Sequence, residues 1–150
     1  GVSWFEAGGV IAIGSDSNIR ISLSEELRSL EYSQRLRDRS RSALSSPTKS
    51  TGRHIFDSMI FGGAIAAGRK TGKIASGYWA DLLALDMSSI VIAGRTGDQL
   101  IDSLIFAGDD SLVLDVWSAG RHLVTEGRHR AHEKITEDYR TALASLQQKL

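Results

Sequence analysis

The chain has 150 residues, and its 18 lysines and arginines balance 18 aspartates and glutamates, so the formal net charge is zero. A neutral chain has no polyelectrolyte attraction to nucleic acid or to an anionic membrane, and neither is an expected partner. With 41% hydrophobic and 24% charged residues, the composition is that of an ordinary globular protein of about one domain. The lack of cysteine excludes disulfides, thiolate metal sites and a cysteine nucleophile.

The expected location is the cytoplasm, because no secretory leader is visible and no stretch approaches the roughly 20 apolar residues of a membrane span. The first residue is Gly1, and the only methionines are Met59 and Met87. We therefore expect either a processed chain or the back end of a larger protein.

The first segment predicts a buried strand that ends in an acidic turn. Residues 1–9 have the pattern of a helix tail closed by glycine, and the continuous apolar run 10–13 follows them. Such runs are typical of strands buried on both faces, as in a parallel sheet under helices. The turn 14–18 is small and polar, and α/β folds place their chemistry at this end of a strand. Asp16 is therefore the leading candidate, either as a chemical group or as a cap of the following turn.

The remaining elements follow in a helix-then-strand order. Ser22 and Glu25 have capping-box spacing and predict a helix running to about residue 43. After a serine-rich loop, a second helical region contains Gly62 and Gly63, which leaves open whether it is one helix or two. The other expected elements are the loop 42–51, the second helical region 53–67, short strands at 74, 80–86 and 90–92, a helix at 98–106, a hairpin joining 113–117 to 123–124, and a closing helix from about 133 to 150.

Other polar residues have simpler structural interpretations. The histidines form no His-x-His pair, so a solvated or structural role is favoured for each, and the chain's own spacing supplies no complete metal site. The glycine-rich run 63–71 does not match a phosphate-binding loop, because Arg69 separates Gly68 from Lys70. Asp81 opens a predicted strand, and we expect it to bind backbone amides at a turn. The four histidines are His54, His122, His129 and His132.

Four ordered motifs resemble the carboxy-terminal third of an amidohydrolase-superfamily enzyme. In that superfamily the last barrel strand ends Gly-Ser-Asp or Gly-Thr-Asp, as residues 14–16 do here. A glycine- and alanine-rich helical segment, a β-sandwich motif and a closing hairpin then follow. These three correspond to residues 61–68, 72–82 and 116–128. Within the superfamily, the chain resembles the N-formimino-L-glutamate deiminases over residues 14–39, 106–110 and 115–122.

The resemblance implies an α/β fold in three parts. Residues 1–70 would be the last strand and helices of a (β/α)₈ barrel, residues 71–132 part of a small β-sandwich, and residues 133–150 a C-terminal helix. Viewed alone, residues 1–70 would then expose much apolar surface, because the barrel strand has lost its neighbours.

The implied activity is hydrolysis of the small molecule N-formimino-L-glutamate to N-formyl-L-glutamate and ammonia, in histidine degradation. It uses one divalent metal, usually zinc, and the parent enzyme is expected to be a homodimer. Asp16 maps onto the last-strand aspartate, which lies beside the metal and takes the proton from the attacking water. The other metal ligands lie outside this chain, so we expect the chain alone to be inactive. Arg20 is a candidate substrate contact, with a structural role favoured.

Two alternative functions stay open. The first is another aminohydrolase of the same scaffold, acting on guanine or a triazine. The second is a non-catalytic association module that reuses the end of the scaffold.

Overall fold

The computed structural model describes residues 1–149 as a group of helices followed by a small antiparallel sheet and a final helix. In chain order, the elements are α1 (Val2–Glu6), α2 (Leu23–Asp38), α3 (Thr51–Ala66), β1 (Leu82–Leu85), α4 (Gly97–Phe106), a 3-10 turn (Asp110–Leu112), β2 (Val113–Ser118), β3 (Arg121–Thr125), β4 (Arg128–His129) and α5 (His132–Gln147).

The hydrophobic core lies among α2, α3 and α4. Leu27, Leu44, Ile55 and Ile105 are each at most 2% exposed and form its centre. A second cluster of three buried side chains lies between α4 and the segments that flank it: Ile92, Leu104 and Leu112. Because α4 contributes to both clusters, it joins the helical half of the chain to the half that carries the sheet.

The four strands pair in chain order, each antiparallel to the next. A two-residue turn joins β2 to β3, with Ala119 at φ 51° and Gly120 at φ 76°. Positive φ at both central residues matches the right-handed twist of the strands that such a turn connects. No residue of these strands is fully buried. Both faces of the sheet are therefore less completely covered than the side chains of the helical core.

The N-cap at the start of α2 is confirmed, but the reciprocal bond of a capping box is not made, because the backbone N–H of Ser22 donates to Ser15 Oγ. The backbone N–H of Glu25 donates to Ser22 Oγ at 3.3 Å. The helix ends at Asp38 and not near residue 43, because Arg39 adopts a left-handed conformation with φ 50°. The open question about α3 is also resolved, since one continuous helix runs through Gly62 and Gly63.

The prediction of a buried strand at residues 10–13 is wrong for this chain. These residues belong to no strand in the part of the chain that the structure describes. Val10 is 45% exposed, and Ile11 and Ile13 are half-buried. A strand exists only where a neighbour completes its hydrogen-bond ladder, and the sheet of this chain pairs its own four antiparallel strands. Residues 10–13 thus have the apolar pattern of a buried strand, but this chain lacks the sheet with which that strand would pair.

Two further strand predictions fail, and one strand was missed. Residues 90–92 form turns, and Ile92 reaches the core from a turn with no exposed surface. Ile74 is 89% exposed and lies outside any strand. The β4 strand, Arg128–His129, is not among the predicted elements. The hairpin and the helix near 98–106 are confirmed as β2–β3 and α4.

The expected apolar exposure is present in the first part of the chain. Seven large apolar side chains there are more than half exposed: Trp4, Ile19, Ile21, Leu23, Leu36, Phe61 and Ile65. The apolar face predicted for the last helix is likewise open to solvent along α5. None of the helices among residues 1–149 is long and apolar enough to cross a membrane.

Candidate functional site

The candidate site is the turn that carries Asp16, and it is anchored on its C-terminal side to the start of α2. Ser15 is 8% exposed, and its Oγ accepts a hydrogen bond from the N–H of Ser22 at 3.2 Å. Its carbonyl accepts from the N–H of Asn18 at 2.8 Å, which closes the turn. Asn18 Nδ2 in turn donates to Glu26 Oε1 at 2.6 Å. The first turn of α2 therefore holds the residues on both sides of Asp16.

The carboxylate of Asp16 has no partner among the described residues. Among residues 1–149 it makes no hydrogen bond and no ion pair, and it is exposed. Its backbone has φ 42°, a left-handed conformation that aspartate tolerates better than most residues. Asp16 therefore does not cap the turn that follows it, because its carboxylate accepts no hydrogen bond from the described residues. Strained backbone that carries an unused charged group is a pattern found at functional sites.

Arg20 is engaged in structural contacts. Its Nε lies 2.7 Å from Glu25 Oε2, an ion pair that lacks the alignment of a hydrogen bond. It also faces Asp109, whose carboxyl pKa is held below its ordinary value mainly by the side chain of Ser111, with Arg20 adding a smaller contribution from its charge. Because two carboxylates already lie near Arg20, we expect it to be a weaker binding group for a substrate carboxylate. This supports the structural interpretation.

His54 and His122 make side-chain contacts within the fold. His54 Nδ1 lies 2.8 Å from the carbonyl of Leu44, and its ring packs on Phe5 at 5.1 Å. His122 Nε2 lies 2.7 Å from Asp115 Oδ1, and its ring stacks on Trp117 at 4.5 Å. Within residues 1–149, no three side chains of the metal-binding types come close enough to hold an ion.

Asp81 binds a turn, as expected. Its Oδ1 accepts from the N–H of Ala119 at 2.7 Å, and its Oδ2 accepts from Thr71 Oγ1 at 2.8 Å. These contacts hold the pKa of the Asp81 carboxyl below its ordinary value, the bond from Ala119 first and that from Thr71 next, with the charge of Arg69 adding to them. The carboxylate therefore ties the β2–β3 turn to the segment before β1.

Two surface clefts that the sequence did not indicate lie away from Asp16. The larger, of about 590 Å³, is lined by the C-terminal half of α3 and the segment that follows it, including Phe61, Arg69 and Tyr78. The smaller, of about 350 Å³, lies between Arg20, Arg28 and the residues after α4. Asp16 lines neither of these two clefts.

Solved structures define the class of protein. The chain aligns over 97% of its length with an amidohydrolase from Brucella melitensis, at a TM-score of 0.87 and 40% identity, and covers 32% of that chain. It also aligns over 96% of its length with a zinc-bound adenosine deaminase from Xanthomonas campestris, at a TM-score of 0.73 and 22% identity, and covers 33% of it. The chain thus has the α/β fold of one part of an amidohydrolase.

Sequence comparison narrows the match to particular enzymes. The chain is 44% identical over 140 residues to the formimidoylglutamate deiminase of Pseudomonas aeruginosa, an alignment that spans 93% of this chain and 31% of that protein. It is 27% identical over 121 residues to the 5-methylthioadenosine/S-adenosylhomocysteine deaminase 1 of Archaeoglobus fulgidus, covering 81% of this chain and 27% of that protein. No model of a known protein family matches it. The resemblance to formimidoylglutamate deiminase is confirmed, and the chain spans about a third of the length of these relatives.

Proposed function

We propose that this chain is the carboxy-terminal part of a formimidoylglutamate deiminase, which hydrolyses N-formimino-L-glutamate to N-formyl-L-glutamate and ammonia. The observation that carries the proposal is the 44% identity over 93% of the chain. Residues 10–13 would be the last strand of the barrel, paired with strands from the rest of the enzyme, and residues 71–132 would belong to a small β-sandwich. When the neighbouring strands lie outside the chain, such a strand has no partner for its hydrogen bonds, and only its apolar run of residues is left.

Asp16 would be the catalytic residue of this segment. Water adds to the formimino carbon, the bond from that carbon to the terminal nitrogen breaks, and the nitrogen leaves as ammonia. Asp16 takes one proton from the attacking water and passes it to the terminal nitrogen. The second proton that this nitrogen needs comes from the hydroxyl of the adduct, as the adduct collapses to the formyl carbonyl. The support is geometric, since the carboxylate is exposed and free of described partners while Ser15 and Asn18 hold the turn in place.

The donor set of this chain fits a shared metal site but cannot complete one. Asp16 offers one free carboxylate, and no three suitable side chains converge within residues 1–149. We therefore propose Asp16 as one contact of a divalent metal whose other ligands lie in the rest of the enzyme. A zinc ion in such a site lowers the pKa of bound water to about 7, so that a carboxylate suffices as the base.

The test is ammonia release from N-formimino-L-glutamate by the complete enzyme, its Asp16→Asn form and the 150-residue chain alone. We expect Asp16→Asn to lower kcat by about 10²–10⁴ with an unchanged circular dichroism spectrum, since the amide keeps the volume and loses the proton acceptor. The chain alone should release no ammonia. Asp138→Asn, an exposed aspartate on α5, serves as the matched control.

The same assay separates the alternatives. Near-normal activity of Asp16→Asn would remove this residue from the mechanism, and activity of the lone chain would contradict the proposal that the site is shared. Release of ammonia from guanine or an aminotriazine, and not from the formimino compound, would favour the related aminohydrolases. A complete protein that is inactive on all three substrates would favour the association module.

A further inference from the structure

One glycine of α3 lies directly against the backbone that leads to Asp16. A Cβ atom placed on Gly62 would lie 1.7 Å from the carbonyl oxygen of Ile11 and 3.0 Å from Val10 Cγ1. The next residue, Gly63, has nothing within 4 Å of the same position. Glycine inside a helix is less stable than alanine, so helix formation alone favours alanine at both places. At Gly62 the close approach of another backbone opposes that preference.

From this contact we propose that Gly62 is a positioning residue for Asp16; the inference rests on the proposed role of Asp16. Gly62 lets the backbone of Ile11 lie directly against α3, and this contact sets where the following turn begins. The turn is already held on its other side by the start of α2, through Ser15 and Asn18. Asp16 thus lies between two anchors, and Gly62 forms the first of them.

The size of the expected effect follows from the geometry. An ordinary contact of a Cβ atom is 3.4 Å or more, so a Cβ at Gly62 requires the backbone at Ile11 to move away from α3 by about 1.7 Å. A misplacement of about 1 Å at a catalytic group can cost about 10²-fold in rate. Substrate binding should change much less, because Asp16 acts on the water.

The experiment compares Gly62→Ala with Gly63→Ala in the complete enzyme. We expect Gly62→Ala to lower kcat about 10²-fold and to change KM less than about 3-fold. Gly63→Ala should leave both parameters unchanged. Each substitution is then repeated in the Asp16→Asn background. If Gly62 acts through Asp16, adding Gly62→Ala to the Asp16→Asn enzyme should lower kcat by less than about 3-fold. The reason is that the group that Gly62 positions has already been lost.

A loss in the Asp16→Asn background as large as in the native enzyme would overturn the proposal, since it would show a general structural effect. Equal effects of the two alanine substitutions would also overturn it. If Gly62→Ala does not fold, Val10→Ala replaces it, because removing Cγ1 loosens the same contact without a clash. Val10→Ala should then lower kcat in the native background and not in the Asp16→Asn background, and equal losses in both would contradict us.

Hydrogen exchange separates failure of this inference from failure of the proposed function. Amides of residues 10–16 should exchange faster in Gly62→Ala than in Gly63→Ala, whatever reaction the enzyme catalyses. If the two variants differ in exchange but the native enzyme is inactive, only the proposed deiminase function is rejected. Exchange that is the same in the two variants would reject the positioning role, even in an active enzyme.

Discussion

At the scale of single residues, Asp81 shows how one carboxylate holds distant segments together. It accepts hydrogen bonds from Ala119 and Thr71 and lies 3.6 Å from Arg69. These three groups lie before β1 and in the β2–β3 turn. The charge of Asp81 therefore serves the fold.

We predict that Asp81→Asn lowers the melting temperature of the complete enzyme and changes turnover less than about tenfold. The amide keeps one acceptor for Ala119 but loses the charge that faces Arg69. Thermal unfolding and ammonia release measure the two effects, with Asp138→Asn as the control. A loss of several orders of magnitude in turnover at an unchanged melting temperature would mean that Asp81 takes part in the chemistry.

The pH dependence of this effect has a definite sign. The folded-state pKa of Asp81 lies below its ordinary value of 3.8, so the stability that it contributes is fully present above pH 3.8 and is lost as the pH falls through the folded-state pKa. The difference in melting temperature between the native protein and Asp81→Asn should therefore be largest near neutral pH and narrow below pH 4. A gap that widens in acid would contradict the assignment.

Glu31 is a buried carboxylate with a structural task. It is 1% exposed, and its two oxygens accept from the N–H groups of Ala43 and Leu44, each at 2.9 Å. Leu44 belongs to the core and is 2% exposed. Glu31 thus fixes the loop after α2 so that Leu44 can enter the core.

We predict that Glu31→Gln lowers the free energy of unfolding by about 1–3 kcal/mol, because an amide NH₂ then faces a buried N–H that has lost its acceptor. Urea unfolding of the complete enzyme measures the change. Glu137→Gln, on the exposed side of α5, should change the stability by less than about 0.5 kcal/mol. Equal values for the two variants would show that the loop does not depend on Glu31.

At the scale of elements, α4 caps the start of α3. Asp102 of α4 accepts from Ser50 Oγ at 2.8 Å and from the N–H of Gly52 at 2.7 Å. Asp98 accepts from the N–H of Ser50 at 3.1 Å. The first turn of a helix leaves its N–H groups without partners, and two carboxylates from a neighbouring helix satisfy part of that need here.

We predict that Asp102→Ala lowers the free energy of unfolding by about 1–2 kcal/mol, the range for loss of a helix N-terminal cap. Urea unfolding of the complete enzyme measures it, and Asp138→Ala is the control. Because the lost contacts join two helices, exchange of the amides in the first turn of α3 should also rise. Unchanged exchange of the amides in the first turn of α3 would show that Asp102 does not act by capping this helix.

At the scale of the whole molecule, much apolar surface has no cover in this chain. Ile19 and Leu36 are more than 80% exposed, and α5 shows an open apolar face formed by Ile135, Tyr139, Leu143 and Leu146. The chain spans about a third of the length of its relatives. We expect the rest of the enzyme to cover the apolar surface of residues 1–70.

We predict that the 150-residue chain alone binds an apolar dye such as anilinonaphthalene sulfonate several-fold more than an equal molar amount of the complete enzyme. The measurement is dye fluorescence at equal concentration, with size-exclusion chromatography to monitor association. Equal dye binding by the two proteins would contradict the idea that other parts of the enzyme cover this surface.

The sequence by itself determined the elements whose signals are local. The N-cap of Ser22, the helix at α4 and the β2–β3 hairpin all depend on residues a few positions apart, so the sequence alone predicts them. The proposal of Asp16 as a catalytic residue and the resemblance to formimidoylglutamate deiminase both depended on motifs and their order. The role of Asp16 stays a prediction, because its chemistry needs groups outside this chain.

Only the tertiary structure decided the features that depend on distant neighbours. Residues 10–13 have the composition of a buried strand, yet a strand needs a hydrogen-bonded neighbour, and the described residues provide none. Ile92 is fully buried from within a turn, which no periodicity could show. The contact of Gly62 with Ile11 joins residues 51 positions apart and involves a backbone oxygen, so no side-chain pattern encodes it. Local patterns specify helices and turns, whereas pairing and close approach are set by which segments the whole fold brings together.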